Sequence, residues 1–169
     1  RPSNVDDEAA MRRIILALET IARQIPLVFP VHPRTVERMT SFGLHPAAEN
    51  RASTGIRVVD PLGYLDFLHL QKRAALVLTD SGGVQEETTA LGVPCVTLRE
   101  NTERPITVDE GTNTIVGQDA SRIIAVVDDI LRTGGKAGRI PELWDGQAAQ
   151  RIAAVLRQWL DGGCARLVA

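Results

Sequence analysis

The sequence predicts an α/β fold built on a parallel sheet flanked by helices. Three observations carry this. Short apolar runs alternate with segments of helical period along the chain. The run Ala74–Leu78 is apolar throughout, which suits a central parallel strand covered on both faces. Polar clusters follow three of the runs directly, at the carboxyl ends where such sheets bind ligands.

Ser3-Asn4-Val5-Asp6-Asp7 reads as a helix entry, with Asn4 as the cap and carboxylates at the positive end of the dipole. Met11, Ile14, Ile15, Leu18, Ile21 and Ala22 then recur at helical spacing. Pro26 ends that helix, and Leu27–Val31 is a short buried strand. His32-Pro33-Arg34-Thr35 leads into a helix from Val36 to near Ser41, stopped by Gly43. Ile56–Val59 is a second strand, ended by Asp60-Pro61, and Tyr64–Gln71 is a short helix. After the third strand, Ala74–Leu78, Asp80-Ser81-Gly82-Gly83 opens a helix that runs to Leu91, where Gly92-Val93-Pro94 breaks it. Cys95–Leu98 and Asn113–Val116 are the fourth and fifth strands. Two amphipathic helices finish the chain, Ala120–Leu131 and Gln147–Leu160, joined through Gly134–Gly138. Residues 1–169 are expected to form one domain.

Composition narrows the function classes. Of the 169 residues, 44% are hydrophobic, enough for a sizeable core and against wholesale disorder. Nineteen basic and twenty-one acidic residues lack the basic excess of a nucleic-acid binder. No apolar run approaches the ~18 residues of a membrane span. Cys95 and Cys164 make neither a disulfide framework nor a metal-site spacing, and Cys95 reads as a buried, reduced thiol; a cytoplasmic location fits this usage. The chain opens on Arg1, within what reads as a loop entering a helix, so it looks like a piece of a longer protein.

Four places can carry chemistry. Asp80-Ser81-Gly82-Gly83 joins a buried strand to a helix; its glycines let a ligand approach the backbone, and the first helical turn offers free amides to a phosphate, with Ser81 adding a hydroxyl. A plain strand–helix turn is the alternative. No GKS/T follows, and GxGxxG is absent. On the same helix Glu86 and Glu87 can accept from ribose hydroxyls, and Glu87, one turn beyond Gly83, can face the cleft; the alternative for both is dipole stabilisation with solvated side chains. In Arg99-Glu100-Asn101-Thr102-Glu103-Arg104-Pro105, Arg99 and Arg104 can reach an anion or instead pair with Glu100 and Glu103. His32, held between Pro30 and Pro33, can donate to a phosphate or pair with a carbonyl. His45 and His69 look incidental, no His/Cys/carboxylate trio has metal-ligand spacing, and Ser81 lacks a nucleophile elbow.

Taken together, Asp80-Ser81-Gly82-Gly83-Val84-Gln85-Glu86-Glu87-Thr88-Thr89, Leu91-Gly92-Val93-Pro94 and Thr97-Leu98-Arg99-Glu100-Asn101-Thr102-Glu103-Arg104-Pro105 closely resemble the non-hydrolysing UDP-N-acetylglucosamine 2-epimerases. Pro30-Val31-His32-Pro33, Pro61-Leu62-Gly63-Tyr64-Leu65-Asp66-Phe67, Gly111-Thr112-Asn113 and Trp144-Asp145-Gly146-Gln147-Ala148-Ala149-Gln150-Arg151-Ile152 resemble the same family in the same order. The resemblance implies a glycosyltransferase-B architecture of two Rossmann-like domains, of which this chain is the C-terminal, UDP-holding one. It implies that Ser81, Gly82 and Gly83 contact the diphosphate, that Glu87 binds the ribose, that Arg104 sits by the sugar-phosphate and that Phe67 lies by the uracil. Leu62 stands where the family commonly has a polar residue.

The implied reaction interconverts UDP-GlcNAc and UDP-ManNAc for polysaccharide biosynthesis, with no cofactor and no metal, in a full-length homodimer. It eliminates UDP to a 2-acetamidoglucal and adds it back after C2 inverts. The acid-base carboxylates belong mainly to the N-terminal domain, and the family's Thr-His-Arg histidine precedes the position of Arg1. No catalytic residue is therefore assigned in this chain, and the chain alone is expected to be inactive. A glycosyltransferase donor domain and a non-catalytic UDP-sugar binding module are the alternatives. Product analysis separates a hydrolysing outcome from epimerisation.

Overall fold

A computed structural model describes residues 1–44 and 55–161. They fall into two compact units, Arg1–Arg139 and Ile140–Ala169. In the first, the order is α1 (Pro2–Val5), α2 (Glu8–Ile21), β1 (Leu27–Pro30), α3 (Pro33–Ser41), β2 (Ile56–Val59), α4 (Tyr64–Arg73), β3 (Val77–Thr79), α5 (Gly82–Leu91), β4 (Cys95–Thr97), α6 (Pro105–Asp109), β5 (Asn113–Ile115) and α7 (Ala120–Thr133). The second unit carries α8 (Ala148–Asp161). Arg151 of α8 grips Asp145, just before the helix, with two hydrogen bonds of 2.9 Å and holds that carboxyl down at about 2. His45 and Cys164 lie outside the described residues.

Among the described residues the strand pairing is parallel, as expected, but it falls into two separate sheets. β1 pairs with β2 in the register Leu27↔Ile56 to Pro30↔Val59. β3, β4 and β5 form the other ladder, with Val77↔Cys95 and Cys95↔Asn113. Between β1 and β3 lies a mostly apolar cavity of about 770 Å³, lined also by α2 and α4. The third strand starts three residues later than the apolar run suggests, and Ala74, Ala75 and Leu76 line the cavity. Apolarity signals that a segment seeks cover, and it is silent on which neighbour supplies the hydrogen bonds.

β4 is paired on both sides and buried throughout. Its side chains alternate between two layers, as strand geometry requires. Val96, with Leu98 just beyond, packs against Ala17 and Ile21 of α2 and Ile123, Val127 and Ile130 of α7. Thr97 faces the other way, where its hydroxyl donates to Asn113 of β5 at 2.6 Å. Cys95 shares that side, near Thr88 of α5; fully buried, its thiol is pushed up to about 11 by desolvation and is a reduced core thiol. A smaller apolar cluster joins Met11 and Ile15 of α2 to Val31 and Met39.

Helix ends explain most of the remaining differences. Asp7 caps α2, accepting from the Ala10 amide at 2.7 Å; Asn4 does not. Asn4 instead lies buried in the one-turn α1, where its Nδ2 donates to Leu98 O at 2.9 Å and Asp80 Oδ2 at 3.1 Å. A cap and a tertiary tie use the same residue type, so local sequence cannot separate them. His32 caps α3, which begins at Pro33, a favoured first-turn position. Gly92 closes α5 at φ 70°, a conformation open to glycine at little cost. α6 starts at Pro105 and is too short for its period to show in the sequence.

Ile123 is 1% exposed at the centre of the larger cluster. Ile123→Ala is expected to lower the unfolding free energy by about 2–5 kcal/mol, read as a shifted midpoint with unchanged slope in urea denaturation.

Candidate functional site

The site forms where β3 gives way to α5. Ser81 is the N-cap of α5, and its side chain makes no capping hydrogen bond. The first helical bond runs from the Gln85 amide to Ser81 O at 3.2 Å. The amides of Gly82, Gly83 and Val84 precede it, so they point out of the helix end without an intrahelical acceptor. These amides and the dipole behind them make a seat for an anion.

Arg104 lies over that turn. A Cβ placed on Gly82 would sit 3.8 Å from Arg104 Cγ and 3.9 Å from Nε, so the guanidinium stem packs directly above the glycine backbone. Arg104 Nε pairs with Glu86 Oε1 at 2.8 Å, with both side chains well exposed. Such exposed pairs are worth only ~0–1 kcal/mol, so Arg104 can exchange Glu86 for a phosphate at little cost. The loop's other arginine is committed elsewhere. Arg99 makes a two-pronged contact with Glu103 at 2.7 and 2.8 Å, the salt-bridge alternative for that residue.

Glu87 is half-buried on α5, and its Oε2 accepts from Gln71 Nε2 at 2.7 Å. Gln71 belongs to α4 and is 2% exposed. This contact ties the α4 helix that carries Phe67 to the carboxylate one turn into α5. Phe67, His32 and Asp80 all line the cavity between β1 and β3. His32 is exposed and turns Nδ1 inward to accept from the Arg34 amide at 3.2 Å, leaving Nε2 as the atom able to meet a ligand. His69 is exposed on α4. Among the described residues no cluster of three His, Cys, Asp or Glu side chains can hold a metal.

The structure thus brings Ser81, Gly82, Gly83 and Arg104 together, with Glu87 one turn along α5, and places Phe67 and His32 on the neighbouring cavity wall. Sequence reasoning did not single out Gln71, Asn113, Thr102 or Thr107 as partners of these residues. For Gln71, Thr107 and Asn113 the one signal is a polar residue at a position that proves buried, which requires the fold to be known; Thr102 is half-buried.

The chain is similar to known proteins over most of its length. The UDP-N-acetylglucosamine 2-epimerase family model matches residues 1–157. The chain belongs to this family. A UDP-N-acetylglucosamine 2-epimerase of Methanocaldococcus jannaschii is 39% identical over 158 residues, which are 92% of this chain and 42% of that protein. A Pseudomonas aeruginosa relative, UDP-2,3-diacetamido-2,3-dideoxy-D-glucuronate 2-epimerase, is also 39% identical over 92% of this chain and 42% of its own length. The crystal structure of the M. jannaschii UDP-GlcNAc 2-epimerase in complex with UDP-GlcNAc and UDP superposes with a TM-score of 0.81 at 37% identity, over 93% of this chain and 43% of that one. The chain therefore spans less than half the length of these epimerase-family relatives, and it has the parallel α/β fold of one half of such a two-domain epimerase.

The Arg99 guanidinium holds the Glu103 carboxyl down at about 2, and Glu103 in turn raises Arg99. A depressed carboxyl stabilises the fold fully above its unfolded value of about 4.3, and that contribution is lost as pH falls toward the folded value. An NMR titration should find the Glu103 midpoint near 2 and return it to the ordinary carboxylate range in Arg99→Gln.

Proposed function

We propose that this chain is the UDP-binding half of an epimerase that interconverts UDP-GlcNAc and UDP-ManNAc, and that its 169 residues work as one C-terminal domain. The observation that carries the reading is the open first turn of α5 beneath Arg104, in a chain of the epimerase family. On this reading the Gly82 and Gly83 amides and the Ser81 hydroxyl hold the diphosphate, with Arg104 above it and His32 Nε2 as a further donor. Glu87, fixed by Gln71, accepts from the ribose hydroxyls. Phe67 lies against the uracil.

The chemistry divides accordingly. When the sugar C1–O bond breaks and a proton leaves C2, the departing UDP gains negative charge. Preorganised amides and a guanidinium stabilise that charge without reorganising. UDP then returns to C1 as a proton is delivered to the opposite face of C2. The groups that move these protons belong mainly to the N-terminal domain, so this chain alone is expected to bind without turning over. The full-length protein is proposed to be a cytoplasmic homodimer, and closure of its two domains would exclude water from the glucal. Among the described residues no helix is long and apolar enough to cross a membrane.

A second reading concerns the sugar. The Pseudomonas relative matches this chain at the same identity and coverage, yet its name specifies a diacetamido-glucuronate. Both substrate names share UDP, the part assigned to this chain. The sugar is therefore to be established by product analysis on the full-length protein, supplied with each nucleotide sugar in turn.

Calorimetric titration of the chain with UDP tests the main reading. Arg104→Ala is expected to weaken binding by at least about tenfold, the loss of one charge-assisted contact. A folded chain that does not bind UDP, or binds it equally well without Arg104, overturns the assignment.

A further inference from the structure

Behind Arg104 runs a continuous path of polar side chains. Arg104 is the N-cap of α6 at φ −125° and ψ 59°, and its carbonyl oxygen accepts from the Thr107 amide at 3.0 Å. Two threonine hydroxyls hold the same peptide groups further. The Arg104 amide donates to Thr102 Oγ1 at 3.0 Å, and the Thr107 hydroxyl donates to Arg104 O at 2.7 Å. Both hydroxyls lead to the same pair of buried amides. Thr102 donates to Gln85 Oε1 at 2.6 Å, Asn113 Nδ2 donates to Thr107 Oγ1 at 3.0 Å, and Asn113 Nδ2 also donates to Gln85 Oε1 at 3.1 Å.

The direction of every bond follows from the first. Thr107 spends its one proton on Arg104 O, so its oxygen must accept from Asn113. Asn113 Nδ2 therefore faces both Thr107 and Gln85, and its Oδ1 is left to accept from Thr97 at 2.6 Å. Gln85 must then present Oε1, which takes the Thr102 proton and frees Thr102 Oγ1 for the Arg104 amide. The ring of bonds is self-consistent with one orientation of both amides. It also persists although Gln85 Nε2, in a fully buried residue, has no protein partner among the described residues.

We propose that Gln85 and Asn113, acting through Thr102 and Thr107, are positioning residues that clamp the Arg104 peptide on both sides and so present its guanidinium over the first turn of α5. The functional part rests on the reading that Arg104 meets the UDP diphosphate. Gln85 lies on that same helix, so one side chain sets the spacing between the amides and the arginine.

Thr102→Val removes one hydroxyl from a half-buried loop residue and tests the clamp. The expected result is an unchanged thermal melt, faster hydrogen exchange at the Arg104 amide by NMR, and UDP affinity lowered about fivefold, the scale of one lost hydrogen bond. Thr102→Ser should restore both. In an Arg104→Ala background Thr102→Val should leave UDP affinity unchanged, because its effect passes through Arg104. Unaltered exchange at Arg104, or an undiminished loss in the Arg104→Ala background, overturns the proposal. If Arg104→Ala alone leaves UDP affinity intact, the diphosphate reading fails, while the exchange measurement still decides whether the clamp exists. Should Thr102→Val unfold, Thr102→Ala serves for the same measurements.

Discussion

Burial of β4 on both faces is the constraint from which the site follows. It is the middle strand of its ladder, and its three residues are all buried. Val96 commits one face to the apolar packing of α2 and α7. Thr97 commits the other to the polar contact with Asn113 and, through it, to α5. With both faces occupied, the chain beyond Thr97 can leave the sheet only at the carboxyl end. That exit carries the Arg99–Arg104 loop over the start of α5. An apolar face and a hydrogen-bonded face on one short strand thus place the arginine and the helix amides in the same small volume.

The charges at the site are arranged so that one cation is available and another is not. Arg99 is engaged by two oxygens of Glu103, a geometry that matches the guanidinium fork. Arg104 meets a single oxygen of Glu86 through Nε in an exposed setting. Two arginines five residues apart in one loop therefore differ in what each gives up to bind an anion. The acidic residues near the helix start fit the same logic. Glu86 pairs with Arg104, and Glu87 is tied to α4 through Gln71.

A half-length relative of a two-domain epimerase raises the question of what one half can do alone. The described residues of the first unit have their own buried clusters, their own helix caps and a preformed turn beneath Arg104. On the proposed reading, recognition of the shared UDP portion is built here and the choice of sugar is left to groups outside this chain. On that reading, one nucleotide half suits differently named substrates, and the Methanocaldococcus and Pseudomonas relatives, each 39% identical to this chain, carry different substrate names.

The amino-acid sequence by itself determined the alternation of strands and helices, the parallel pairing and the strand-to-helix turn at Asp80–Gly83. These depend on local quantities: apolar period, proline and glycine at element ends, and the length needed for a crossover. It also marked Ser81, Gly82, Gly83, Glu87 and Arg104 as a group, because their types and order form a recognisable motif. Tertiary structure decided the rest. Asn4 became a tie to Leu98 and Asp80 instead of a helix cap, the strands divided into two ladders, Arg99 was taken by Glu103, and Gln85 and Asn113 met inside the fold. Each of these outcomes depends on which of several chemically equivalent partners comes within hydrogen-bond distance. Residues 28 or 94 positions apart are brought together only by packing, and no local pattern in the chain encodes that choice.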